Sequence, residues 1–304
     1  MSAPLRIVSL LPSATEIAVA LGLQGNLVGR SHECDFPPAV KSLPVCTSTK
    51  LEKGLSSQAI EDRVKAIVEK GLSVYDVDAA LLKSLRPDVI LTQAQCAVCA
   101  VTPADLEEAL ATWVGTPPRL VSLAPDDLAD VFGDLERVAE AAGVPERAPE
   151  AAARMRAGLG ALPAAPATRP RMLAVEWIEP LMVAGNWVPE LITAAGADPL
   201  LADPGTHSHW ITFDAIAAAD PDIIALMPCG YQLAQTMPEA RALLAQPQWQ
   251  DLRAVREGRV FAVDGHHLFN RPGPRLVESA EVLACLIHTP DAVPERLQPF
   301  IAKV

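Results

Sequence analysis

Leu85–Thr92 reads LRPDVILT, and Ala219–Met227 reads ADPDIIALM. Each phrase closes a helical pattern, turns on Pro-Asp and enters a run of β-branched and Leu residues without polar alternation. A strand that is apolar on both sides must be covered on both faces, as in parallel sheets flanked by helices. A residue preceding proline is pushed away from helical geometry, so each helix boundary falls just ahead of Pro87 and Pro221. The same phrase in two distant places predicts one α/β unit in each half of the chain, not a short-period repeat.

Working outward in the first half, Arg6–Leu11 (RIVSLL) predicts a strand that Pro12-Ser13 breaks. Ser13 is expected to cap a helix over Ala14–Leu21, with Glu16 at its third position and Gly22 as its stop. Asn26–Ser31, Asp88–Thr92 and Leu120–Leu123 are the further strands of this half. In the second half, Arg171–Val175, Asp222–Met227 and Arg259–Val263 read as strands. Val188–Ala195 reads as a helix stopped by Gly196, and Pro274–His288 as a long amphipathic one. Between the halves, Asp126–Leu162 is rich in Ala, Glu, Arg and Leu, a helix-favouring composition split by Gly143 and Pro145. The expected organisation is a lobe over 1–144, a connecting helix within 145–165 and a lobe over 166–304. Each lobe is expected to be Rossmann-like α/β.

Composition sets further bounds. The chain has 304 residues, about two domains' worth, and is half hydrophobic, enough for a core in each half. The net charge of −12 argues against nucleic acid as a partner. No segment reads as a membrane span, so no membrane insertion is expected. Six cysteines, Cys34, Cys46, Cys96, Cys99, Cys229 and Cys285, do not form a dense disulfide framework.

The phrases RIVSLLPSATEIAVALGL, LVGRSHECDFPPAV, LKSLRPDVILT and FNRPGPRLVESAEVLACLIH resemble, in order and over nearly the whole chain, the cobalamin- and siderophore-binding proteins of ABC importers. SHECDFP, QCAVCAV, MPCG and VDGHHLFNRPGPR resemble a narrower group labelled cobalamin-binding. The resemblance implies two Rossmann-like α/β lobes joined by a single backbone helix, with a ligand cleft between them at the strand carboxyl ends, where open α/β sheets bind ligands in general. It also implies a small-molecule metal-chelate ligand and an ABC permease as partner. Two features depart from the pattern. The paired carboxylates that meet the permease fall on Ala80 and Asp214, and the aromatics that pack on a corrin ring fall on Ser48, Gln93 and Leu268.

Three constellations could carry chemistry. His32, Cys34, Cys96, Cys99 and Cys229 each follow a predicted strand end, and thiolate and imidazole are soft-metal ligands. Small buried cysteines behaving as hydrophobes are the alternative. Ser13, Glu176, Trp177, Trp187, Trp210 and Phe269 are expected at the ligand, the flat rings suiting a large conjugated molecule. His266 and His267 follow a strand, and a neutral imidazole can coordinate a ligand's metal axially. Adjacent side chains point apart, so at most one of the two should face the ligand. Arg271, with Arg275 beside it, can bind ligand carboxylates or cap helices.

Motifs G-x-S-x-G, H-E-x-x-H and the P-loop are absent, and no catalytic residue is expected. The leading expectation is a binding protein for a corrinoid or tetrapyrrole-like metal chelate. The alternative is a cytoplasmic metal-dependent enzyme or metallochaperone holding its own metal ion on the Cys/His cluster. The start of the chain lacks the pattern of a signal peptide. With Ala80 and the unpaired cysteine pattern, this predicts a cytoplasmic protein. A periplasmic or lipid-anchored location is the alternative should a leader be missing from the sequence.

Overall fold

A computed structural model describes residues 4–52, 54–69, 74–93, 101, 106, 113 and 115–304. Cys96 and Cys99 lie outside these residues. In chain order the first strands and helices are β1 (Ile7–Ser9), α1 (Pro12–Ala20), β2 (Leu27–Arg30), β3 (Thr47–Thr49), α2 (Ser57–Val68), β4 (Tyr75–Val77), α3 (Ala79–Leu85), β5 (Val89–Gln93), β6 (Arg119–Leu123), α4 (Leu128–Ala141) and α5 (Ala148–Gly160). There follow β7 (Arg171–Trp177), β8 (Met182–Val183), α6 (Val188–Ala195), β9 (Asp198–Pro199), β10 (His209–Trp210), α7 (Phe213–Ala219), β11 (Ile223–Leu226), α8 (Leu233–Leu244), α9 (Arg253–Arg256), β12 (Val260–Val263), α10 (Leu276–His288) and β13 (Ile301–Lys303).

The chain divides into two compact units. One comprises Met1–Lys53, Asp62–Pro125 and Ala129–Met155; the other comprises Gly54–Glu61, Asp126–Leu128 and Arg156–Val304. The division falls inside α5, the helix expected between the two halves.

In the first unit the sheet runs β2-β1-β5-β6, with every pair parallel. Ile7, Val8, Ile90 and Leu91 are fully buried, as strands covered on both faces require. Each such side chain stabilises the fold by roughly 1.5–3 kcal/mol through burial. On α4, Val131, Leu135 and Val138 face inward at helical spacing. The helix α1 starts two residues earlier than expected. Pro12 is its first residue and Leu11 its N-cap, with no side-chain cap. Proline's fixed φ suits the first helical position, which leaves Ser13 inside the helix, buried, and not its cap.

The second unit holds a seven-stranded sheet in the order β10-β8-β7-β11-β12-β13, with β9 also on β7. Its centre, β7-β11-β12, is parallel, and β8, β10 and β13 join antiparallel. The sequence reading anticipated the parallel centre but not the antiparallel additions, two of which are two-residue strands too short to show alternation. Leu173, Val175, Ile224, Leu226, Val260 and Trp249 form the core of this sheet. Trp249 is 1% exposed, as expected of a packing residue.

Candidate functional site

At the strand ends of the first unit, small polar side chains bond to one another. The Thr15 hydroxyl contacts both Ser9 Oγ at 2.9 Å and Cys34 Sγ at 3.1 Å. The Cys34 thiol is fully buried and lies 3.9 Å from the Ser9 carbonyl. His32 uses both its backbone N–H, at 3.0 Å, and its Nδ1, at 2.8 Å, on Thr47 Oγ1, which in turn reaches Ser31 Oγ at 3.1 Å. The ring of His32 stands 5.8 Å from that of Tyr75. Within this unit, no third described His, Cys, Asp or Glu donor joins His32 and Cys34. Cys34 is here a small packing residue. Nearby Cys46 is buried too, and desolvation pushes its thiol up to about 11, which keeps it protonated and a poor ligand.

The second unit is organised differently. Three adjacent parallel strands, β7, β11 and β12, end beside one another, and their loops are knitted by backbone bonds. Cys229 N–H donates to Glu176 O at 3.0 Å, and His266 N–H to Tyr231 O at 3.0 Å. The close pass of the β11 and β12 loops explains Gly265. A Cβ there would lie 2.2 Å from the Pro228 carbonyl oxygen, so only glycine fits. Gly185 plays the same part in the turn after β8, where a Cβ would meet Thr206 O at 2.2 Å.

On this frame sit rings and charges. Trp177 packs edge-on against Tyr231, with centroids 5.6 Å apart. Both are nearly buried, yet the indole Nε1 of Trp177 has no hydrogen-bond partner among the described residues. The same holds for Nδ2 of buried Asn186. Trp187, by contrast, donates Nε1 to the Phe269 carbonyl at 2.8 Å. Glu176 accepts from Ser208 Oγ at 2.6 Å, and Ser208 Oγ accepts from Gly185 N–H at 3.0 Å. Arg271 is 3% exposed and donates to His266 Nε2 at 3.0 Å. His267 is held by Asp264 through its N–H at 2.7 Å and its Nδ1 at 3.0 Å. Burial alone would raise the Asp264 pKa. The hydrogen bonds from His267, with the nearby His267 and His266 rings, outweigh it and lower the carboxyl below its ordinary value. Arg275 caps this loop at the His267 carbonyl, 3.1 Å away.

Several expected positions change. The Phe269 ring is fully enclosed in the second unit's interior and presents only its carbonyl, so it is not a rim residue. The ring is apolar and its chain neighbour Leu268 is likewise fully buried. Trp210 is 52% exposed on the edge strand β10. Cys229 is half-buried in the loop after β11. Tyr231, Asn186 and Asp264 were not singled out in the sequence. Asp264 carried a readable signal, a carboxylate three residues before a histidine in VDGHH. Tyr231 and Asn186 carried none, because only the packing of loops brings them here.

Polar and aromatic groups gathered at strand ends stand where open α/β folds place their ligands. The periplasmic binding protein family model matches residues 7–266, and the chain belongs to that family. It is 26% identical over 96% of its length, and 82% of the relative's, to an uncharacterized ABC transporter substrate-binding lipoprotein, YvrC, of Bacillus subtilis (strain 168). It is 28% identical to the vitamin B12-binding protein of Photorhabdus laumondii subsp. laumondii, over 51% of this chain and 44% of that protein. Among solved structures, the periplasmic heme-binding protein RhuT from Roseiflexus sp. RS-1 in apo form is 25% identical, with a TM-score of 0.65 over 94% of this chain and 98% of that one. The periplasmic vitamin B12-binding protein BtuF of Vibrio cholerae shares the fold, at 20% identity and a TM-score of 0.62 over 93% and 96% of the two chains.

The chain is therefore a substrate-binding protein of an ABC importer with two α/β lobes, and not an enzyme. It binds a small molecule and works with a permease. No described helix is long and apolar enough to cross a membrane. The expected cytoplasmic location is corrected. The matching family and its relatives are periplasmic proteins or lipoproteins, which points outside the cytoplasm. Ala80 and the cysteine pattern misled because both are compatible with an exported protein. A docking carboxylate can be lost without relocating a protein, and Cys34, Cys46 and Cys285 are simply buried.

Proposed function

We propose that this protein captures a planar macrocyclic metal chelate, a heme or a corrinoid, for import. The observation that carries the reading is the assembly at the ends of β7, β11 and β12. There, the Trp177–Tyr231 pair, the Arg271–His266 pair and the Asp264–His267 pair share one loop frame. Rings match a conjugated face, while guanidinium and N–H donors match the carboxylate or carboxamide arms around such a ring. Names among the relatives, vitamin B12-binding and heme-binding, support this class of ligand. The remaining permease-facing carboxylate would be Asp214, which is exposed in the first turn of α7, while Ala80 occupies the matching exposed place on α3.

The test is titration of the purified protein with hemin and with aquocobalamin, followed by absorbance and by quenching of tryptophan fluorescence. One of the two should bind at one equivalent with a Kd of about 1 μM or tighter, the range of specific small-ligand complexes. Saturable binding of neither would sink the proposal.

A further inference from the structure

The second unit takes in a short stretch from the first half of the sequence. This strap, Gly54–Glu61, leads into α2 and forms its first turn. The first N–H groups of a helix have no partner within it and must find one elsewhere. Ser56 Oγ takes the Ala59 N–H at 3.3 Å, as a residue just ahead of a helix usually does. The N–H of Ser57, the first helical residue, is bound differently. It donates to Oε1 of Glu239, on α8, at 2.8 Å. The positive end of the helix dipole favours a carboxylate there.

The same carboxylate oxygen also reaches an aromatic ring at the strand ends. The Tyr231 hydroxyl lies 3.3 Å from Glu239 Oε1 and 3.1 Å from the Leu55 carbonyl. Its one proton thus faces two acceptors, one on the strap and one on the residue that holds the strap. Burial first, and then the Glu239 carboxylate, push the Tyr231 hydroxyl above its ordinary pKa, so it stays a protonated donor. At its other end Tyr231 is fixed by its backbone, which donates to Pro228 O and accepts from His266 N–H, both at 3.0 Å. Trp177 packs edge-on against the ring held in this way. The second carboxylate oxygen, Glu239 Oε2, is buried without a partner among the described residues. A half-satisfied buried carboxylate destabilises a fold. An apolar residue would pack here without that cost, but it would hold neither the strap nor the phenol.

We infer that Glu239 is a positioning residue of the chelate site: by tying the start of α2 and the Tyr231 hydroxyl to one carboxylate oxygen, it holds the Tyr231–Trp177 ring pair in the orientation that receives the ligand. A ring fixed before the ligand arrives need not be ordered when it binds, and that ordering otherwise weakens affinity. The assignment rests on the proposed chelate ligand, and the experiment separates the two.

Wild-type protein, Glu239→Ala, Glu239→Gln, Tyr231→Phe and the double variant Glu239→Ala with Tyr231→Phe are each titrated with hemin and with aquocobalamin. Amide hydrogen exchange is followed in the same proteins. For the chelate that binds, Glu239→Ala should weaken affinity by about 2- to 10-fold, the effect of one side chain that must be ordered on binding. Exchange in Gly54–Glu61 should quicken in this variant while β7, β11 and β12 stay protected, which shows that it is folded. Glu239→Gln keeps a carbonyl oxygen for both contacts and should bind as wild type does. In the Tyr231→Phe background the hydroxyl is already gone, so Glu239→Ala should cost no further affinity. Wild-type affinity in Glu239→Ala, or losses that add in the double variant, overturns the positioning role and leaves the proposed function standing. Glu239→Gln as weak as Glu239→Ala makes the charge and not the tie responsible, and overturns the role as well. Binding of neither chelate by the wild-type protein overturns both.

Discussion

In the first unit, the residues that follow the parallel strands are Ser9, Ser31, His32 and Cys34, and their polar atoms bond to one another and to Thr15 and Thr47. In the second unit, the equivalent places hold Trp177, Tyr231, His266 and His267, with Asn186 in the turn that follows β8. Two buried donors there, Trp177 Nε1 and Asn186 Nδ2, have no partner among the described residues. Buried polar groups are nearly always satisfied, and each exception requires an explanation. Where the donors are orphaned at strand ends, a ligand acceptor or a bound water is the explanation. The comparison teaches that similar α/β units can differ at their working ends. One engages most of the small polar groups at its strand ends with one another, while the other leaves two buried donors beside large rings.

The largest expected effect sharpens the contrast through glycine. Gly265→Ala drives a Cβ to 2.2 Å from Pro228 O and 2.7 Å from Met227 O. Both atoms are backbone at the ends of the central strands and cannot yield without moving the loops. A loss of ~3 kcal/mol or more in unfolding free energy is expected, together with loss of chelate binding. In the first unit, Gly29→Ala also meets close atoms, Leu85 Cδ1 at 2.7 Å and Cys46 Sγ at 2.9 Å. These are side-chain ends that can rotate, so ~1–2 kcal/mol is expected. Urea denaturation of both variants checks the order. Equal losses would mean that the β11–β12 loop frame is no more rigid than an ordinary packed sheet.

Much of the fold was legible because burial writes long apolar runs. The strands at Val89–Gln93 and Ile223–Leu226 and the helix Val188–Ala195 could be read within a residue or two. The antiparallel additions to the second sheet could not, since Met182–Val183 and His209–Trp210 hold two residues each and owe their form to β7 beside them. At the site, His266, His267, Arg271 and Trp177 were legible as residue types that chemistry favours. Their partners were not, because loop packing decides which nitrogen meets Arg271 and which meets Asp264. The rings of Phe269 and Trp187 looked alike in sequence as candidates. The fold buries the first completely and ties the second to the first one's carbonyl.

The first unit also has buried polar atoms without a partner among the described residues, Arg30 Nε and Ser122 Oγ on its strands and Asp134 Oδ2 on a helix, and the carboxylate is the costliest of them. Asp134 on α4 is fully buried, and its Oδ2 has no partner among the described residues. Its Oδ1 meets Arg137 at 2.6 Å. Desolvation pushes its carboxyl up to about 6 from 3.8, the Arg137 contact opposing the rise. The folded state thus holds the proton more tightly than the unfolded chain, so stability falls as pH climbs from about 4 to about 6 and then levels. Asp134→Asn removes that dependence. At about pH 7.5 it should be more stable by ~2 kcal/mol, after allowing for the weak, half-exposed Arg137 contact. Below about pH 4 the advantage should vanish. Denaturation curves across that range measure it, and a variant less stable than wild type at neutral pH would show that the ionised pair is a net support.

The smallest expected effect bears most directly on the comparison, because it asks what the orphaned indole is for. Trp177→Phe keeps most of the ring against Tyr231 and deletes only the N–H and part of the bicycle. If Nε1 is an unmet donor in the ligand-free protein, its removal takes away a buried polar group that contributes nothing there. Stability should then hold within ~0.5 kcal/mol, the small packing loss being offset by the lost desolvation penalty. If the bound chelate supplies the acceptor, affinity should drop by about 5-fold, the worth of one hydrogen bond of ~1 kcal/mol. Trp187→Phe is the matched control. Its Nε1 already bonds to the Phe269 carbonyl at 2.8 Å, a buried acceptor that would be left unpaired. That variant should lose ~1–2 kcal/mol of stability while binding the chelate as before. Thermal melts and chelate titrations of the two proteins give four numbers, and the expected pattern is crossed, with one indole affecting affinity and the other stability. Should Trp177→Phe bind as tightly as wild type, an ordered water satisfies Nε1, and the indole N–H plays no part in holding the chelate.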